Sequence, residues 1–218
     1  MIKLYGTSHV SHESISVIDR AFEEDPDIVA LELDPVRLEA LMSDGERKDN
    51  STVFITLLQK FQEYVGNKTG LMPGEEMLHA YNKALNNDVD VALVDQDIRI
   101  TVERLKDVRR KEKVKAVFST LIGVLLPFGD KFDLEEIPDE EKIQELVSQL
   151  ETSFPGMYRV LMEERNVHIV ESISRLQISN PEADIAAFLG AAHRKPVAES
   201  LRGEGFEVSC EDLMEEKK

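Results

Sequence analysis

The sequence has few of the groups on which several familiar classes of enzyme depend. It holds a single cysteine, Cys210, and no tryptophan among its 218 residues, so no disulfide can form within the chain. No serine lies in the Gly-x-Ser-x-Gly pattern of a nucleophile elbow, and no glycine-rich loop has the spacing that cradles phosphate. Because Cys210 also has no base near it in the sequence, nucleophilic catalysis by serine or cysteine finds no support.

Positive charge and long apolar runs are also scarce. The chain has 43 acidic and 26 basic residues and a formal net charge of -17 at pH 7, which repels phosphate backbones and anionic headgroups, so we expect no nucleic acid partner. The longest apolar stretch, residues 116–128, is shorter than the roughly 18–20 residues of a membrane span. We therefore expect no integral membrane segment, and this stretch suits either a buried helix or a homodimer interface. The first residues lack the apolar region of a signal peptide, which favours a cytoplasmic location.

Apolar runs and helical periodicity alternate along the chain in the manner of an α/β protein. Strands are predicted at residues 2–5, 28–33, 89–95 and 183–189, with an edge strand at 206–210. Helices are predicted at residues 11–24, 35–42, 53–64, 73–85 and 195–202, and a long helical insertion at about 98–178. The near-continuous apolar strands suit a sheet that is at least partly parallel and covered on both faces. At this length we expect one domain over residues 1–218.

Two copies of one short pattern follow the first and fourth predicted strands. They are Gly6-Thr7-Ser8-His9 and Gly190-Ala191-Ala192-His193. A glycine after a strand permits a tight turn, so the histidine three residues later can project over the carboxyl end of the sheet. The numbers of glycines and histidines predict roughly 0.25 such matches by chance, and two at strand ends therefore indicate imidazoles that share one crevice. The alternative is that each pattern is an ordinary turn with an incidental histidine. We expect the other three histidines, His12, His79 and His168, to be incidental as well.

An acidic residue, Glu32, interrupts the second apolar strand. A carboxylate in this position must be paired, hydrogen-bonded or bound to a metal to offset its desolvation. Since one helix links the first and second strands, we expect these strands to be neighbours, which places Glu32 beside His9. His9, His193 and Glu32 would then form a ligand set that suits zinc, manganese or iron and leaves positions open for water. An internal salt bridge from Glu32 to an arginine is the alternative.

Four further polar residues are candidates for the same site. Asp95 ends the third strand and is placed to orient a ligand histidine. Glu76 opens a helix, where its carboxylate either supports the site or only complements the helix dipole. Arg165 and Asn166 interrupt the apolar positions of another helix, and the guanidinium can clamp a carboxylate or polarise a carbonyl oxygen. Simple solvation is the competing interpretation for this pair.

The segments that carry these residues resemble the TraB family, the pheromone-shutdown group that includes the TraB and PrgY proteins and is more distantly related to the Tiki and GumN proteins. The resemblance covers nearly the whole chain in order, through residues 6–11, 26–34, 73–77, 92–98, 164–166 and 190–193, with Ser14, Arg37, Thr101 and Arg104. It implies a Tiki-like or erythromycin-esterase-like α/β fold, with a mixed sheet flanked by helices. The sequence departs from the family pattern at His12, where an acidic residue is more usual. We also expect it to lack the C-terminal membrane segments of many relatives.

The resemblance also implies an activity. By analogy with Tiki proteins, the chain would be a metal-dependent hydrolase that cleaves a short peptide, with zinc, manganese or cobalt as its divalent metal cofactor. The expected metal ligands are His9, His193 and Glu32, supported by Glu76 and Asp95, while Arg165 and Asn166 face the substrate. Two alternatives stay open: a protein that sequesters a peptide without cleaving it, and a metal-independent, esterase-like hydrolase.

Overall fold

Five parallel strands form the centre of the part of the chain that the structure describes. The structure is a computed structural model that describes residues 1–7, 12–43, 74–116 and 140–211. Its strands are β1 (Ile2–Thr7), β2 (Ile28–Leu31), β3 (Asp90–Leu93), β4 (Ile185–Gly190) and β5 (Val208–Glu211). Their order in the sheet is β3-β2-β4-β1-β5, and all four pairings are parallel. The described strands therefore form a parallel sheet and not the mixed sheet that we expected, and β5 lies at its edge as predicted.

The last long strand in the sequence occupies the middle of the sheet. β4 pairs with β1 on one side and with β2 on the other, so the expectation that β1 and β2 are neighbours is wrong. All six residues of β4 are buried, which suits a central strand that is covered on both faces. Glu32 therefore lies beside the end of β4, where its N–H donates to the carbonyl of Phe188 at 3.1 Å.

Helices connect and cover the strands. They are α1 (His12–Glu23), α2 (Pro35–Met42), α3 (Glu75–Asn86), α4 (Ile98–Asp107), α5 (Glu140–Ser153), α6 (Pro155–Tyr158), α7 (Glu164–Ser179) and α8 (Ala191–Gly203). Residues 110–116 are also helical. The predicted helix at 53–64 and most of the apolar stretch 116–128 lie outside the described residues, so the dimer interface stays a prediction.

One turn of π-helix, Arg159–Glu163, joins α6 to α7 where we predicted an uninterrupted helix. In this turn the N–H of Glu164 donates to the carbonyl of Arg159, five residues earlier. The wider turn changes the phase of the helix between its two ends. Met157 and Val160 consequently pack against the end of α4, whereas Ile169 and Ile173 face the sheet.

Two apolar layers enclose the sheet because successive residues of a strand point to opposite faces. On one face, Leu4 of β1 and Ala187 of β4 pack with residues of α7 and α8. On the other face, Tyr5 and Phe188 stack with ring centroids 5.2 Å apart and pack against α1 and α3. The face covered by α7 and α8 also receives the side chains that form the candidate site.

A matched pair of substitutions on α7 tests this layering. Ile173 is 0% exposed and Ile178 is 69% exposed, so Ile173→Ala leaves a cavity whereas Ile178→Ala does not. We expect Ile173→Ala to lower the free energy of unfolding by about 2–5 kcal/mol and Ile178→Ala to change it by less than about 0.5 kcal/mol. Urea unfolding followed by circular dichroism measures both. Equal losses in the two variants would contradict the assigned face of α7.

Candidate functional site

The carboxyl ends of three neighbouring strands supply the candidate site. Glu32 follows β2, Asp95 follows β3, and His193 lies three residues beyond Gly190 at the end of β4. The alternation of side chains places Glu32 with Ile28 and Ala30, on the face that α7 and α8 cover. This edge of a parallel sheet is where ligands bind in open α/β proteins.

Glu32 is a buried carboxylate whose side chain is 1% exposed. Its Oε2 accepts the N–H of Gly190 at 2.6 Å. Its Oε1 accepts a hydrogen bond from Nη2 of Arg165 and lies 3.6 Å from Nε2 of His193. The internal salt bridge to an arginine, which was the alternative to a metal, is therefore present in the structure.

Arg165 joins the second and third strands by binding both of their terminal carboxylates. Its Nε and Nη2 donate to Oδ1 and Oδ2 of Asp95 at 3.0 and 2.7 Å, and Nη2 also binds Glu32. Its Nη1 donates to the carbonyl of Leu161, in the π-helical turn, at 3.3 Å. Burial on its own lowers the pKa of Arg165, but the charges and hydrogen bonds of the two carboxylates outweigh it and hold that pKa above its usual value.

These bonds engage four of the five N–H groups of the Arg165 guanidinium. A substrate would therefore meet little of this side chain directly. Its principal contacts are those that hold Glu32 and Asp95 in place, since a guanidinium offers two carboxylates a fixed geometry.

A second arginine, Arg37, completes the cluster and was not among the candidates from the sequence. Its Nη1 donates to Oδ2 of Asp95, and its Nη2 donates to the main-chain carbonyl of Glu32 at 3.2 Å. Asp34 begins α2 by accepting the N–H groups of Val36 and Arg37 at 2.9 and 3.2 Å, which fixes the first turn of the helix. The signal in the sequence was the cap itself, because Asp34-Pro35-x-Arg37 places Arg37 within one turn of the strand end.

Asp34 is fully buried, and its Oδ2 has no hydrogen-bond partner among the described residues. Burial raises the pKa of the Asp34 carboxyl, although the neighbouring Arg37 and the capped N–H groups act in the opposite direction. The cap therefore places a buried carboxylate, whose desolvation costs free energy, next to Arg37.

His193 lies in the first turn of α8 and is 5% exposed. Its Nδ1 lies 2.6 Å from Oδ1 of Asn166, the residue after Arg165 on α7. With this orientation of the amide, Nδ1 carries a proton and donates it to Asn166, so in neutral His193 the lone pair of Nε2 points towards Glu32. Asn166 therefore fixes both the tautomer and the direction of the ring.

Neither glycine of the repeated pattern has a positive φ. Gly190 has φ -54° and ψ 137°, which any residue can adopt, and it contributes its N–H to Glu32. Gly6 lies within β1, and His9 lies outside the described residues. The convergence of His9 with His193 thus remains a prediction.

Glu76 occupies the second position of α3 and is 4% exposed. Its Oε2 accepts the N–H of Gly74 at 3.1 Å, a role at the helix start that fits the alternative interpretation of this residue. Gly74 has φ 95°, and a Cβ there would lie 3.1 Å from Cδ2 of Leu41. A glycine is therefore required at this helix start for both conformation and space.

The described residues hold no group of three or more His, Cys, Asp or Glu side chains arranged for a metal ion. Two of the three predicted ligands, Glu32 and His193, do lie side by side, and the third is His9. Nor does any helix in the described part of the chain have the length and apolar character needed to cross a membrane.

Comparison with known proteins gives one consistent result. The sequence model of the TraB/PrgY/gumN family matches residues 1–209. The uncharacterized protein MJ1365 of Methanocaldococcus jannaschii is 30% identical, in an alignment that covers 100% of this chain and 58% of that protein. A TraB domain-containing protein of Bos taurus is 24% identical, over 77% of this chain and 50% of that protein. The chain thus spans about half the length of these curated relatives.

Replacement of Arg165 tests the buried ion-pair cluster. Arg165→Met keeps much of the side-chain volume but leaves Glu32 without its cation, so we expect the free energy of unfolding at pH 7 to fall by about 3 kcal/mol or more. The matched control is Arg175→Met, on the exposed side of the same helix, with an expected change within about 0.5 kcal/mol. Urea denaturation provides the measurement. A loss no larger than that of the control would mean that the cluster does not stabilise the fold.

Proposed function

The chain belongs to the TraB/PrgY/gumN family, as its motifs predict, and on that premise we propose that it is a metal-dependent hydrolase that cleaves a short peptide. One observation carries the proposal. Asn166 holds the imidazole of His193 through Nδ1, so Nε2 is directed at the buried carboxylate of Glu32. Metal-binding histidines are commonly fixed in this way through their other ring nitrogen.

The spacing of these two atoms fits a shared divalent ion. Nε2 of His193 and Oε1 of Glu32 are 3.6 Å apart, and two atoms each about 2.0–2.1 Å from one tetrahedral Zn²⁺ would stand about 3.3 Å apart. In the tautomer of His193 with its proton on Nδ1, Nε2 and the carboxylate oxygen of Glu32 both offer lone pairs that one cation could accept. Arg165 reaches Oε1 of Glu32 from another direction, through Nη2.

The register of the sheet supports His9 as the third ligand. Thr7, the last residue of β1, is paired with Gly190 at the same edge of the sheet. His9 follows two residues later in the sequence, and two residues of extended chain span at most about 7 Å. We propose that His9, His193 and Glu32 hold zinc, manganese or cobalt, while Asp95 and Arg165 fix Glu32. A bound divalent ion supplies a Lewis acid for a carbonyl group and acidifies water.

A second candidate function follows from how fully the charged groups are paired. Both oxygens of Glu32 and most donors of Arg165 are engaged within the protein, which favours a rigid crevice that binds a peptide without cleaving it. The two functions differ in turnover and in the need for a metal. An esterase-like hydrolase that needs no metal would differ from the first function in its resistance to chelators and from the second in its turnover.

Removal of the metal or of His193 provides the first test. Purified protein is incubated with a peptide library and Zn²⁺, Mn²⁺ or Co²⁺, and we expect cleavage that a chelator abolishes and that His193→Ala lowers by at least about 100-fold. The matched control is His168→Ala, which removes an imidazole from the helix of Asn166 outside the cluster. Mass spectrometry detects the products.

Other outcomes of this experiment discriminate between the candidates. Peptide binding without cleavage under every metal would contradict the hydrolase and support sequestration. Ester hydrolysis that survives chelation would identify the metal-independent alternative.

The contribution of Glu32 is tested by a charge-neutral substitution. Glu32→Gln keeps the shape of the side chain but weakens it as a ligand, so we expect Zn²⁺ affinity to fall by about tenfold or more. Glu199→Gln, on the exposed side of α8, is the matched control. Isothermal titration calorimetry measures affinity, and circular dichroism verifies the fold. Unchanged affinity would assign Glu32 to the ion-pair cluster alone.

A further inference from the structure

We propose that Gly6 is a positioning residue for His193, and that it acts through its contact with Arg194. The two Gly-x-x-His patterns would then be linked physically, because the glycine of the first holds the helix turn that carries the histidine of the second. Of the two measurements that test this inference, only the one of Zn²⁺ binding rests on the proposed function.

Gly6 faces the first turn of α8. It pairs with Leu189 in β4 and, by the alternation of strand residues, shares a face with Ile2 and Leu4. A Cβ at position 6 would lie 3.3 Å from Cδ of Arg194 and 3.6 Å from Cα of Ala191. The helix backbone would thus be in ordinary contact with such a Cβ, whereas the side chain of Arg194 would have to give by a few tenths of an ångström.

Space, and not backbone conformation, is the reason for glycine at this position. The described glycines with positive φ are Gly74 and Gly205, and Gly6 is not among them. Another residue could therefore adopt the backbone of β1, but its side chain would press on Arg194.

Arg194 cannot move aside without cost. Its Nη1 donates to the carbonyl of Glu211, the last residue of β5, at 2.8 Å. The side chain therefore crosses Gly6 from α8 to the edge strand, and it is held at its far end. A Cβ on residue 6 therefore presses on a side chain that is held at both ends, so a shift of a few tenths of an ångström strains this hydrogen bond or the first turn of α8.

Displacement of that turn reaches the candidate site directly. His193 precedes Arg194, and its ring is held at 2.6 Å from Asn166 and 3.6 Å from Glu32. A shift of a few tenths of an ångström weakens the Asn166 hydrogen bond, because such bonds depend steeply on distance and angle. The position of Nε2 relative to Glu32 changes with it.

A double-mutant cycle tests this coupling. The variants are Gly6→Ala, Arg194→Ala and both together, with Gly203→Ala as the matched control, since a Cβ on Gly203 meets nothing within 4 Å. The first readout is the pair of imidazole ¹⁵N resonances of His193, identified by their loss in His193→Gln. The second is Zn²⁺ affinity, measured by calorimetry.

We expect Gly6→Ala to shift the His193 resonances and to weaken Zn²⁺ binding by about tenfold, the lower end of the effect of losing a contact that orients a ligand. In the double variant, Arg194→Ala should return both readouts most of the way to their wild-type values. Gly203→Ala should change neither. A Gly6→Ala protein that melts earlier but keeps the His193 resonances of wild type would overturn the proposal, as would a double variant no closer to wild type than Gly6→Ala.

The two readouts separate this inference from the proposed function. If the wild-type protein does not bind Zn²⁺, the metal-dependent function fails, and the imidazole resonances still decide whether Gly6 positions His193. If Zn²⁺ binds and the resonances do not respond to Gly6→Ala, the positioning role fails alone.

Discussion

The ion pairs of Arg165 hold together the end of the sheet on which the candidate site depends. Glu32 and Asp95 leave adjacent strands as buried carboxylates, and two such charges are stable there only with cations between them. Arg165 reaches both from α7, and Arg37 reaches Asp95 from α2. The same carboxylate of Glu32 accepts the N–H of Gly190 and faces His193. One network of charges therefore positions the strand ends, the first turns of the helices and the imidazole of His193.

Much of the local structure could be predicted from the sequence, because it depends on local patterns. The apolar runs identified the five strands of the described residues, and the isolated carboxylate of Glu32 required a partner wherever it lay. The order of the strands could not be predicted in the same way. An apolar run reveals that a strand is buried but not which strand is beside it, and β4, far along the chain, is placed between β1 and β2.

The arrangement of the candidate site could also be predicted only in part, because some of its contacts depend on local patterns and others on how the strands are ordered. Glu32, Asp95, Arg165, Asn166 and His193 do lie together, as expected from strand ends and from polar residues on an apolar helix face. The role of Arg37 depends on the cap made by Asp34 and on the spacing of β2 and β3, which no single segment reveals. The π-helical turn before Arg165 also has no pattern of its own. It becomes visible only when the apolar faces on its two sides are compared.

The central place of β4 also determines how the sheet can assemble. Ile2 of β1 pairs with Ile185 and Val208, so β1 waits for its described partners until residues far along the chain have been synthesised. Until then β1 has two open edges, while β2 and β3 can already pair. Contacts so distant in sequence make folding slow, and exposed strand edges favour association with other chains. Among the described strands, β1 is therefore incorporated into the sheet only when β4 and β5 are available to pair with it.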